Sequence, residues 1–282
     1  MKKVLIFFLI IFAVIVILSL MLTFSHKVPL GEKVALIRVT GVIIDSTDVI
    51  DELKEYAKDN SIKAVVLRVD SPGGAVAPSQ EIYEEVLKLK ENKKVIVSMG
   101  SVAASGGYYI AAPADKIVAN AGTLTGSIGV IMEIPNVSGL MKKIGVETQI
   151  VKSGSYKDIA SVFRSLKPEE KEILQSVLDD VHDQFIRAVS DGRGMKVEDI
   201  KSIADGRIFT GRMAKELGLV DELGNLQDAI MLAGKLTGIE GEPQVVSKKE
   251  EFSILDLIKG QLPEKLVGNA FSGIQVKYLF AP

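Results

Sequence analysis

The chain predicts an α/β fold built on a buried parallel sheet, preceded by an apolar segment long enough to cross a membrane. Three observations carry this. Val34-Ala-Leu-Ile-Arg-Val39, Ala64-Val-Val-Leu-Arg-Val69 and Lys94-Val-Ile-Val-Ser98 are short, apolar and bounded by turn residues, as strands covered on both faces are. The stretches between them carry apolar residues at helical spacing, and strand and helix in that alternation favour right-handed crossovers. Val4 to Phe24 holds no charge and only Ser19 and Thr23 as polar residues.

In chain order, the first element is that apolar run. At about 1.5 Å per residue, some 20 residues cross the hydrocarbon core. Lys2 and Lys3 precede it and predict a cytoplasmic N-terminus. A cleaved secretory signal is the competing reading, but the run is longer than an ordinary signal core and no Ala-x-Ala pattern follows it. A single-pass anchor over residues 1–27 is therefore expected, with everything after Lys27 outside the cytoplasm. Ser25 to Lys33, with Pro29 and Gly31, reads as a linker. Val49 to Asp59 places Val49, Ile50, Leu53 and Ala57 on one helix face, and Pro78 to Lys90 does so with Ile82, Tyr83, Val86 and Leu89. Pro78 suits a first helical turn.

The second half turns helical. Pro168 to Val189 aligns Ile173, Val177 and Val181, and Glu169, Glu170 and Glu172 crowd its start, where the helix dipole favours anions. Further helices are expected over Val197–Ala204, Arg212–Leu217 (with Gly218 as a cap) and Leu226–Leu236.

Composition excludes several chemistries. There is no cysteine, hence no disulfide and no thiol nucleophile. Two histidines far apart argue against a catalytic zinc, and no phosphate-binding glycine loop is followed by Lys-Ser or Lys-Thr. A net charge of −2 leaves no footprint for nucleic acid. No cofactor and no metal are expected.

What remains is a serine. Ser101-Val-Ala-Ala-Ser-Gly-Gly-Tyr-Tyr109 sets Ser105 among small residues and before two glycines, which suits display at a tight strand-to-helix turn. Such small runs also serve close helix packing. His26 borders the apolar run, and His182 sits near the edge of a helical stripe, where a surface or satisfied core histidine is the better reading. Without an imidazole, a serine is activated by a lysine made neutral through desolvation. Lys157, in Lys152-Ser-Gly-Ser-Tyr-Lys-Asp158, is the candidate, although most lysines in such settings are solvated charges. Asp70-Ser-Pro-Gly-Gly74 follows a buried strand directly, and backbone N–H groups in such a loop can bind an oxyanion, though Pro-Gly-Gly often marks only a turn.

Taken together, Arg68-Val-Asp-Ser-Pro-Gly-Gly-Ala75, Ser98-Met-Gly-Ser-Val-Ala-Ala-Ser-Gly-Gly-Tyr-Tyr-Ile110, Ala114-Asp-Lys-Ile-Val-Ala119, Thr123-Leu-Thr-Gly-Ser-Ile-Gly-Val130 and Lys152-Ser-Gly-Ser-Tyr-Lys-Asp158 resemble the signal peptide peptidase A family of membrane-anchored serine proteases. Asp205-Gly-Arg-Ile-Phe-Thr-Gly211 and Ala214-Lys-Glu-Leu-Gly-Leu-Val-Asp221 extend the likeness. The family shares a fold group with the Clp protease proteolytic subunit and the crotonases, so the resemblance implies a repeated β-β-α core. It implies the short form, with one protease domain over 28–240 and a C-terminal tail over 241–282.

Carried over by position, the resemblance implies Ser105 as nucleophile, Lys157 as general base and Ser127 as the hydroxyl that orients the amine. It implies oxyanion donors at Gly73 or Gly74 and at Gly106, and sites formed between neighbouring subunits of a homo-oligomeric ring. Lys157 should then be desolvated, with Asp158 turned away from its amine. The expected activity is an endopeptidase, membrane-bound and extracytoplasmic, acting on apolar peptides such as signal peptides left in the bilayer. A crotonase-type acyl-thioester enzyme and an inactive peptide-binding scaffold are the alternatives. In the tail, Ser253–Leu262 reads as a short amphipathic helix and Ile274–Pro282 as strand-like, expected to aid assembly or to occupy a substrate groove as an added strand.

Overall fold

A computed structural model describes residues 32–248 and 276–279, together with Phe12. Apart from Phe12, the expected anchor over residues 4–24 lies outside the described residues, as does the expected helix over 253–262. Among the described residues no helix is long and apolar enough to cross a membrane. The described residues from Lys33 onward form one compact unit.

Its centre is a sheet in the order β10-β1-β2-β4-β5-β9, formed by Gln244–Val246, Lys33–Thr40, Ile62–Ser71, Lys94–Ala104, Lys116–Ala119 and Glu222–Leu223. Every pair along it is parallel. Leu124–Gly126 (β6) pairs with the far end of β4, and Ile208–Thr210 (β8) pairs antiparallel with β6. The three apolar runs of the sequence are β1, β2 and β4.

They are continuous runs because both faces are covered. Ala35, Ile37, Val39, Val65, Leu67, Val69, Val95 and Val97 face one buried cluster. The residues between them, Val34, Leu36, Ala64, Val66 and Ile96, face a second cluster with Ala229, Ile230 and Ala233. That is the period of two of a strand. The second layer is Leu226–Thr237 (α8), begun by Asn225, whose side chain accepts from the N–H groups of Gln227 and Asp228, and ended at Gly238 with φ of 77°. The first face is covered by Thr47–Lys58 (α1), Val76–Lys90 (α2), Gly106–Ala111 (α3) and Pro168–Arg193 (α5). Ser138–Lys143 (α4), Val197–Lys201 (α6) and Gly211–Glu216 (α7) complete the helices among the described residues.

A second, small sheet matters most for function. Gly73–Ala75 (β3), Val276–Leu279 (β11) and Ile131–Met132 (β7) lie in the order β3-β11-β7. The tail therefore contributes twice. β10 extends the main sheet beside β1, and β11 runs between the Gly-Gly loop and β7, antiparallel to both.

Candidate active site

The serine segment forms a strand–elbow–helix. β4 runs on past Ser98 to Ala104, and α3 begins at Gly106. Ser105 stands between them with φ 53° and ψ −119°. A non-glycine residue at positive φ costs about 1–3 kcal/mol and persists only where its surroundings enforce it. Three contacts do so here. Its N–H donates to Gly126 O at 2.8 Å, its carbonyl accepts from Tyr109 N–H at 2.8 Å, and Tyr108 Oη pins the helix to Leu219 O at 2.9 Å. The Ser105 side chain is buried, and its Oγ makes no hydrogen bond among the described residues.

The register explains what gathers around it. Val69 lies opposite Met99 but Ser71 lies opposite Ala103, so β4 carries extra residues across from Asp70. Asp70 accepts from Val102 N–H at 3.1 Å, and a Cβ on Gly100 would fall 2.5 Å from the Asp70 Cγ. This irregularity brings Ala104 level with Gly126, so Ser105 and Ser127 follow side by side at the ends of paired strands. Thr125 Oγ1 fastens the pair to Ala103 O at 2.6 Å, and Ser127, itself at φ 50°, donates its N–H to Arg207 O at 2.8 Å.

On the other side lies the Gly-Gly loop. Gly73 N–H donates to Ser71 Oγ at 3.1 Å and Ala75 N–H to Ile43 O at 2.7 Å. Gly74 is thereby the amide of the three that faces what lies in the groove. A Cβ on Gly74 would sit 2.0 Å from Ile43 O, so only glycine fits. A Cβ on Gly106 would come 3.2 Å from Gly74 N and 2.7 Å from Ser79 Oγ. The backbone just after Ser105 therefore lies directly against Gly73–Gly74. β11 passes the same point, with Tyr278 opposite Gly74 and Leu279 opposite Gly73.

Two expectations need correction. Lys157 is exposed, not desolvated, and makes no hydrogen bond to Ser105 Oγ. Its turn, closed by Lys157 N–H to Gly154 O at 3.1 Å, lies at the surface with its side chain uncovered. Asp158 does turn elsewhere, toward Arg164 and Lys152. His182 is half-buried on its helix, and only the satisfied-core alternative fails for it. Its Nε2 is buried without a hydrogen-bond partner among the described residues, and it lines a hollow of about 400 Å³ with Ser127, Ile131, Asp179 and Gly206. Burial pushes the phenols of Tyr108 and Tyr109 up, the latter to about 12, so neither serves as a base.

The sequence reading missed Asp70, Ser79 and Thr125, which hold the elbow in place. For Asp70 and Thr125 the signal is weak but real, since they are polar residues inside runs that are otherwise largely buried, whereas Ser79 lies between exposed and half-exposed helix neighbours and gives none.

Comparison with known proteins gives two family matches. Residues 87–240 match the family described as Peptidase family S49, and residues 35–125 match the family described as Clp protease. A candidate protease of Synechocystis sp. is 48% identical over 216 residues, covering 76% of this chain and 78% of that protein. A candidate signal peptide peptidase of Enterococcus faecium is 38% identical, covering 71% of this chain and 62% of the relative. The chloroplastic serine protease SPPA of Arabidopsis thaliana is 35% identical over 84% of this chain and 34% of its own length.

Proposed function

The chain belongs to peptidase family S49, the signal peptide peptidase A family of serine peptidases, and from that premise we propose that Ser105 and Lys157 form its catalytic dyad, the lysine arriving from a neighbouring copy. The observation that carries this reading is Ser105 itself. It is held at a left-handed elbow, buried, with an Oγ that bonds nothing among the described residues. Lys157 is exposed on the same chain. A base that must be desolvated, and is not, needs cover from outside. The segment that carries it also exposes Leu140, Ile144, Val146, Ile150 and Val151, an apolar surface suited to a second copy.

The chemistry follows. Ser105 Oγ attacks the scissile carbonyl carbon while its proton passes to the neutral Lys157 Nζ. The oxyanion takes hydrogen bonds from the Gly74 and Gly106 N–H groups. Collapse breaks the C–N bond, and Lys157 returns the proton to the departing amine. Water then attacks the acyl ester, giving its proton to Lys157, and Ser105 is released with its hydrogen restored. Ser127, beside Ser105, orients the amine. A substrate would lie where β11 lies, as an extended strand antiparallel to β3. Apolar peptides at the bilayer, signal peptides among them, fit a site tethered by residues 1–27 on the outer side of the membrane.

The test is labelling with a serine-directed fluorophosphonate. Label on the wild type, lost in Ser105→Ala, supports a serine hydrolase and sets aside acyl-thioester chemistry and an inert scaffold. Label retained in Ser105→Ala refutes the assignment of the nucleophile.

A further inference from the structure

We propose that Arg164 is a positioning residue for the general base: held by Glu170, it draws the Asp158 carboxylate away from the amine of Lys157, its neighbour in the chain. The proposal rests on the reading of Lys157 as base. A carboxylate one residue from that lysine is a hazard, because pairing with it would keep the amine protonated. In the structure both oxygens of Asp158 are taken. Arg164 Nε donates to Oδ2 at 2.8 Å, and the Lys152 ammonium bonds Oδ1. Arg164 Nη2 also donates to the Asp158 carbonyl at 2.9 Å, so the guanidinium fixes backbone and side chain together.

The other edge of the guanidinium is anchored. Nη1 and Nη2 fork onto Glu170 at 2.7 and 2.6 Å, and Glu170 is the buried member of the acidic cluster at the start of α5. Glu170 accepts a third hydrogen bond from Lys167 N–H at 3.0 Å. Only a planar five-donor head can hold two carboxylates and a carbonyl at once, which excludes lysine from the position. Arg164, and after it Lys152, hold the Asp158 carboxyl well below the usual carboxylate range. Lys142 of α4, and Glu147 beyond it, also line the hollow that Asp158 and Arg164 wall. Removing Arg164 leaves the Asp158 and Glu170 carboxylates facing Lys152 alone, a net negative charge beside the base.

The experiment compares pH–rate profiles of full-length wild type, Arg164→Met, Arg164→Lys and Arg164→Met/Asp158→Asn on one peptide substrate. For Arg164→Met the ascending limb should move up by about half to one pH unit, the effect of one uncompensated charge near the amine. At pH 7 this reads as a loss of roughly 3- to 10-fold, while the alkaline plateau is largely kept. Adding Asp158→Asn should return the limb to its wild-type position. Arg164→Lys should shift it less, and it decides the matter if the methionine variant does not fold. A plateau lowered at every pH with the limb unmoved, or a shift that Asp158→Asn fails to reverse, overturns the proposal. Lys157→Ala, run alongside, separates the two levels. If it is inactive and the limb of the Arg164 variants is unmoved, this inference alone falls. If it is active, the base assignment falls and takes this inference with it.

Discussion

Gly106→Ala separates catalysis from stability in this fold. The added Cβ would lie 2.7 Å from Ser79 Oγ and 3.2 Å from both Gly73 Cα and Gly74 N. Ser79 would have to give up its hydrogen bond to Ala75 O, now 2.9 Å, at a cost of about 1 kcal/mol. Alanine returns about 0.8–1 kcal/mol over glycine in a helix, and Gly106 opens α3 without a positive φ. The two effects nearly cancel, so Tm should move by no more than about 4 °C. The groove cannot absorb the methyl so easily. Relief of the 3.2 Å contacts pushes Gly74 away from Ser105, and loss of one oxyanion donor costs roughly 10²- to 10³-fold in kcat. Peptide cleavage measured beside thermal unfolding checks this. A kcat within 3-fold of wild type, at unchanged Tm, would refute the placement of the oxyanion site between Gly74 and Gly106.

Three further outcomes are expected. Ser127→Ala removes one hydrogen bond that orients the amine and should slow turnover by roughly 10- to 100-fold, and a rate unchanged within error would reduce Ser127 to a turn residue. Deleting residues 250–282 removes β11 from the groove beside Gly73–Ala75 and should raise turnover of a short peptide several-fold, since a tethered strand competes at an effective concentration near millimolar; unchanged or lower turnover at unchanged oligomer mass would show that β11 does not compete. The Arg164 guanidinium, with the Lys167 N–H, lowers the Glu170 carboxyl from 4.5 to about 2; a lowered folded value stabilises above the unfolded one and is lost as pH falls, so wild-type Tm should drop between about pH 5 and 2 more steeply than that of Glu170→Gln, and parallel curves would contradict it.

The α/β order was legible because strands covered on both faces leave uninterrupted apolar runs, and β1, β2 and β4 did. Ser105 was legible because small residues and a glycine pair admit the elbow. The extension of β4 from Met99 to Ala104 was not, since its small residues lack a strand signature and are held by Asp70, Thr123 and Thr125 side chains instead. Nor was the fork of Arg164 on Glu170. In sequence Glu170 is one of three acids suited to a helix dipole, and only packing reveals that it is the buried one. The exposure of Lys157 within a single copy could not be read either, because a motif fixes a residue's type and spacing but not what packs over its side chain. The β11 pairing was foreshadowed by the strand-like residues after Ile274, but its partners β3 and β7 lie far back in the chain, beyond any local pattern.

The most direct test of the dyad is complementation between inactive copies. Ser105→Ala and Lys157→Ala proteins, each inactive alone, are unfolded, mixed and refolded together, and peptide cleavage is measured near neutral pH. A lysine supplied by a neighbouring copy predicts activity in the mixture, at a fraction of wild type set by how often an intact Ser105 meets an intact Lys157. No activity in mixed assemblies of confirmed composition would contradict a dyad shared between copies, and full activity in Lys157→Ala alone would contradict a lysine base.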